Sequence, residues 1–116
     1  MKAGDIILAP MPQVDGQTKN RPALILAVVR PFGDILLCGL STQLQQEVLG
    51  FDELIIPTDP DFLETGLNAP TLIRLGFIST LPASRIKGRI GHLSLTRRQR
   101  LVQRLCAHLS SATATA

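Results

Sequence analysis

A small barrel or sandwich of short β-strands, closed by one C-terminal helix, is the fold class this sequence predicts. Three observations lead there. The 116 residues amount to one domain's worth. The first 80 break into brief apolar runs punctuated by proline and glycine, a pattern that disfavours alternating strand–helix units. A single stretch near the end carries a helical apolar stripe.

The elements follow in order. Residues 5–10 (DIILAP) form a short strand stopped by Pro10 and Pro12, and residues 11–20 (MPQVDGQTKN) have the make-up of a loop. Residues 22–29 (PALILAVV) are apolar without interruption, as in a strand buried on both faces. After a turn at residues 30–34 (RPFGD), residues 35–40 (ILLCGL) return as a hairpin partner. A polar stretch, residues 41–47, precedes a strand at residues 53–56. Residues 57–70 hold three prolines and are expected to be a long loop. Residues 71–74 and 77–81 are β-like pieces split at Gly76. His92 falls in a turn before the helix, which Ser94 or Thr96 caps. Leu101, Val102, Leu105, Cys106 and Leu109 make the apolar stripe. Residues 1–109 are expected to be one domain and residues 110–116 (SSATATA) a frayed tail.

Charge is divided unevenly. All nine acids precede residue 65, whereas residues 71–116 carry eight Lys/Arg and no acid. The first 70 residues sum to −5 and the rest to +8, which suits a polyanion or an acidic protein partner. Arginines in the first helical turn oppose the helix dipole, a hint that they serve a partner; a solvated basic helix is the plainer alternative. Cys38 and Cys106 are expected to be two buried thiols in a reducing cytoplasm. No metal-ligand spacing, phosphate loop, signal peptide or membrane-length apolar run is present, so no metal, cofactor or membrane is expected. His92 and His108 are assigned structural roles. Trp and Tyr are absent and Phe occurs four times, which counts against base-stacking platforms.

The remaining chemistry is arginine, hydroxyl and amide. Hairpin pairing of residues 22–29 with 35–40 brings Arg21 and Ser41 to the same end, where a guanidinium fork and a hydroxyl suit a phosphoryl group. Read without further context, a surface charge and a turn hydroxyl are the simpler alternatives.

Gly4-Asp5-Ile6, the RPALIL run from Arg21 to Leu26, and Leu40-Ser41-Thr42-Gln43 resemble the MazF/PemK-type toxins of bacterial toxin–antitoxin pairs. PTLIR from Pro70, FISTL from Phe77 and IGHLS from Ile90 follow in the family's order, so the resemblance covers almost the whole chain. It implies an SH3-like β-barrel with a C-terminal α-helix, a homodimer, and a metal-independent endoribonuclease. Such an enzyme cleaves single-stranded RNA through attack by the 2′-OH. It also implies neutralisation by a cognate antitoxin with an acidic tail. By the same resemblance Arg21, Ser41 (a threonine in the family) and Arg74 are the catalytic positions. Asp15, Gln17, Lys19, Asn20, Thr42 and Gln43 are expected to touch substrate, and Gln45 and Gln46 carry suitable groups for base edges. Gly76 stands where some members carry Asp, which leaves Asp15, or Arg21 with Ser41, to serve as base. The alternatives are a non-enzymatic toxin that binds DNA gyrase on the same barrel, which the RP motif disfavours, and an inactive dimer that binds only antitoxin.

Overall fold

The computed structural model describes residues 1–13 and 15–114. Six strands and one long helix make up the architecture: β1 (Asp5–Pro12), β2 (Thr18–Val29), β3 (Asp34–Ser41), β4 (Glu53–Ile55), β5 (Thr71–Leu81), β6 (Gly88–His92) and α1 (Leu95–Ala114). The strands form one curled antiparallel sheet in the order β4-β5-β3-β2-β1-β6, a half-barrel whose outer edges are β4 and β6. The mainly β fold with a C-terminal helix is therefore as the sequence predicts.

The middle of the apolar run in β2 is buried on both faces, whereas Val28 and Val29 at its end are exposed. Leu24 joins Ile6, Cys38, Leu40, Ile73, Leu75 and, from α1, Leu101 on one side. Ala23 and Ile25 join Ile7, Ala9, Met11, Ile35 and Leu37 on the other. Alternate residues thus enter two different cores, and each fully buried aliphatic side chain contributes about 1.5–3 kcal/mol.

Several local expectations change. Residues 18–20 are strand, because β1 and β2 continue as a two-stranded ribbon with Pro12 opposite Thr18. The ribbon closes where Gln13 N donates to Gln17 O at 2.7 Å and Gly16 takes a φ of +83°, a conformation glycine adopts without steric cost. β5 is one strand with a bulge in place of the expected break. Gly39 pairs with Arg74 and Cys38 with Ile78, so Leu75, Gly76 and Phe77 have no partner on β3. Segment 88–92 is a strand that the sequence reading missed, so His92 ends β6; only five residues long, with two glycines, it shows little apolar alternation. The stretch at residues 57–70 contains a single helical turn, Leu63–Thr65.

Residues 110–114 belong to α1, where a frayed tail was expected; residues 115 and 116 lie outside the described part. Thr113 Oγ1 donates to Ser110 O at 2.7 Å, so a polar side chain bonds back along the helix. Of the apolar stripe, only Leu101 is fully buried; Cys106 and Leu109 are exposed. His108 packs its ring on Phe51, with centroids 4.5 Å apart.

The two cysteines accordingly differ. Cys38 is buried and its thiol is pushed up to about 12, mainly by burial and further by the nearby Asp52 carboxylate. Cys106 is on the surface. A thiol reagent added to native protein at pH 8 should modify one cysteine at once and the second only after denaturation, as counted by absorbance or mass. Two fast-reacting thiols would contradict the burial of Cys38.

The helix arginines, expected to await a partner, are largely engaged within the chain. Arg97 bonds Asp61 through Nε at 2.9 Å, Glu53 through Nη1 at 2.9 Å and Asp59 through Nη2 at 3.3 Å. Arg100 and Arg104 also reach Glu53, at 2.8 and 3.3 Å. Arg98 Nη1 donates to Ala3 O at 2.6 Å. Ser94 caps the helix: its Oγ accepts from Arg97 N at 3.3 Å and donates to Asp61 at 2.7 Å. The loop acids thus supply the negative charge that a helix start favours and that α1 itself lacks.

Candidate active site

Three strands carry the site. In the β2–β3 ladder Ala23 faces Gly39 and Leu24 faces Cys38. The same register carried to the strand ends sets Arg21 opposite Ser41, the end-to-end placement expected from the hairpin. On the other side of β3, Arg74 pairs with Gly39. Arg21, Ser41 and Arg74 therefore line one cleft of about 310 Å³, together with Met11, Pro12, Gln13, Pro22, Gly39, Leu40, Gln43, Gln46 and Phe77.

Arg21 is half-buried and partly satisfied. One terminal nitrogen, Nη2, donates to Gln13 Oε1 at 2.8 Å, and Gln13 Nε2 donates in turn to Met11 O at 3.3 Å. The Nε–H of Arg21 is buried and has no acceptor among the described residues. A buried guanidinium donor without a partner costs more than a bond removed at the surface, so the site gains when an acceptor enters. Ser41 Oγ accepts from Gln43 N at 3.0 Å, which leaves its proton available for donation. Gln45 Nε2 donates to Gln43 Oε1 at 2.8 Å. Among the described lining residues there are two guanidiniums, one hydroxyl and three side-chain amides, but no carboxylate or imidazole.

Arg74 lies over Phe77, with its guanidinium carbon 5.3 Å from the ring centroid. Behind this pair a second cavity of about 90 Å³ is lined by Val48, Phe51, Asp52 and Gly76. Asp52 is buried, with one carboxylate oxygen accepting from Val48 N at 3.0 Å and the other from Leu75 N at 3.1 Å. It ties the bulge of β5 to the preceding loop, next to Arg74.

The sequence-derived residues separate accordingly. Arg21, Ser41, Arg74 and Gln43 come together, with Gln46 beside them. Asp15, Gln17, Lys19, Asn20, Thr42 and Gln45 are exposed and outside the lining. Asp15 closes its own turn by accepting from Gln17 N at 3.0 Å and lies outside the cleft lining. Gly76 opens into the second cavity, so a carboxylate at that position would lie beyond Arg74 and Phe77 from Arg21. Gln13, Gly39 and Phe77 were missed. Gln13 meets Arg21 only once the ribbon closes, and Phe77 reaches the cleft only because of the bulge.

Residues 2–109 match the family of PemK-like, MazF-like toxins of type II toxin–antitoxin systems. Among solved structures, the Mycobacterium tuberculosis toxin MazF-mt6 is similar at 25% identity and a TM-score of 0.66, over 91% of this chain and 96% of that one. A mycobacterial endoribonuclease in complex with its cognate antitoxin shares the fold at 15% identity and a TM-score of 0.68, over 95% of each chain. No curated protein matches in sequence. With the match covering nearly its whole length, the chain belongs to the PemK-like, MazF-like toxin family of type II toxin–antitoxin systems.

Proposed function

We propose that this toxin is a metal-independent endoribonuclease that cuts single-stranded RNA within short sequence motifs, works as a homodimer and is held in check by a cognate antitoxin. The observation that carries the reading is the buried Nε–H of Arg21, without an acceptor among the described residues, in a cleft that also holds Arg74 and the Ser41 hydroxyl. A phosphodiester supplies the missing acceptor. Its negative charge meets two guanidiniums and no opposing carboxylate among the described lining residues. Membership of a toxin–antitoxin family supports the antitoxin as partner.

In the proposed step the 2′ oxygen bonds to phosphorus and the bond from phosphorus to the 5′ oxygen breaks. The products are a 2′,3′-cyclic phosphate and a 5′-OH. Arg21 and Arg74 neutralise the charge that grows on the non-bridging oxygens, where preorganised donors act most strongly. Ser41 donates a hydrogen bond from its hydroxyl to a non-bridging oxygen and keeps its proton. With no side-chain carboxylate or imidazole in the described lining, the 2′ proton leaves to water or to a phosphate oxygen and returns to the departing 5′ oxygen.

The test is purified protein incubated with a long unstructured RNA in EDTA. The expected products carry 5′-OH ends, which polynucleotide kinase labels without prior phosphatase treatment. Folded protein that leaves an RNA pool of randomised sequence intact would rule the reading out.

A further inference from the structure

The mechanism above uses Arg21, Ser41 and Arg74 but leaves one wall of the cleft unexplained. Phe77 belongs to the unpaired residues of β5, yet it keeps a defined position. One edge of its ring abuts Gly39: a Cβ there would come within 2.5 Å of the ring's Cδ1 and 3.3 to 3.4 Å of the neighbouring ring carbons. Arg74 holds it from another side. Leu75, two residues earlier, is fixed in the core and bonded through its N–H to Asp52. The residue is nevertheless 36% exposed, and it lines both the cleft and the smaller cavity behind it. A large apolar surface held open beside two cations suits a ligand with a flat π-face and an attached anion, as a nucleotide has. Both oxygens of Asp52, the nearest carboxylate, are already committed to backbone N–H groups.

We propose that Phe77 is the stacking platform for the base that flanks the phosphate bound at Arg21, and that Gly39 is the residue that makes room for its ring. This inference rests on the RNA-cleaving reading for the position of the phosphate. It sets aside the expectation, drawn from aromatic scarcity, that bases are held here with little stacking: one well-placed ring suffices.

The experiment uses short 2′-O-methyl oligonucleotides, which cannot undergo 2′-OH attack, with 2-aminopurine fixed at one position in turn and the other positions randomised. Wild-type protein should quench the fluorophore strongly at one position, because stacking on an aromatic ring quenches it. Phe77→Leu should abolish that quenching and weaken binding roughly tenfold. Phe77→Tyr should preserve both. Gly39→Ala, which displaces the ring, should behave like Phe77→Leu, with circular dichroism confirming that each variant is folded. Equal quenching by wild type and Phe77→Leu, or no quenching at any position, overturns the platform. The two readings separate cleanly. Wild type that quenches but leaves ordinary RNA uncut keeps the platform and removes the cleavage. Wild type that cuts RNA without Phe77-dependent quenching does the reverse.

Discussion

Arg21→Ala is expected to slow RNA cleavage by about two to three orders of magnitude, the scale on which loss of one preorganised donor to a developing oxyanion is felt. The residue supplies both a charge and a donor already desolvated before substrate arrives, so little reorganisation accompanies the transition state. Its partner Gln13 fixes the guanidinium in place. Arg21→Lys keeps the charge but loses the planar fork and the Nε–H, so it should recover only a small part of the rate. Single-turnover cleavage under saturating enzyme reads this directly, since it isolates the chemical step from binding. The fold should be little changed, because removing Arg21 also removes a buried donor without an acceptor. Rates for Arg21→Ala within a factor of about five of wild type would show that the phosphate binds elsewhere, since the expected loss is far larger.

Arg97→Ala is expected to destabilise the protein by about 2–4 kcal/mol, measured by urea denaturation. The side chain is only 11% exposed and reaches Asp61, Glu53 and Asp59 at once. Its loss leaves those carboxylates facing one another, although their partial contact with water keeps the effect below that of a fully buried charge. The same cluster sets an acid limit. Hydrogen bonding from Arg97, with further help from Ser94, holds the Asp61 carboxyl at about 2, against an ordinary value of 3.8. Its folded-state pKa being depressed, this group contributes its stability above pH 4 and loses it as pH falls from about 4 to about 2. Glu53 is lowered too: burial opposes the shift, but bonds and charge from Arg100 and Arg97 outweigh it. Wild type should therefore lose stability across that acid window, and Arg97→Ala should show a flatter profile. Parallel pH curves for the two proteins would assign the acid sensitivity to other carboxylates.

How much of this was legible in the sequence depends on the range over which each signal acts. The β2 run, the β3 return and the Ser94 cap were readable because burial and capping leave marks within a few residues. The meeting of Arg21 with Ser41 was readable because a hairpin fixes opposition by counting from its turn. Arg74 was found by family resemblance and placed by the β3–β5 ladder, which no local pattern encodes. Gln13 and Phe77 escaped for a related reason: one depends on a ribbon extending past two prolines, the other on three residues dropping out of register. The charge split was visible, but how much of it is answered within the chain was not. Composition counts Glu53, Asp59 and Asp61 as acids of the first half, but only the fold shows that they face Arg97, Arg100 and Arg104.

The bulge in β5 carries a consequence for how such a cleft diversifies. A ladder residue is constrained from two sides, since its replacement must suit the strand opposite as well as its own face. Gly76 and Phe77 answer to no strand opposite, while Leu75 and Asp52 hold the backbone on which they sit. Substitutions there can change what the cleft accepts without shifting the register that aligns Arg21 with Ser41. On the proposed reading, the scaffold separates inheritance of the reaction from drift in its target: ladder positions hold the chemistry, and the unpaired residues of β5 tune what the cleft accepts.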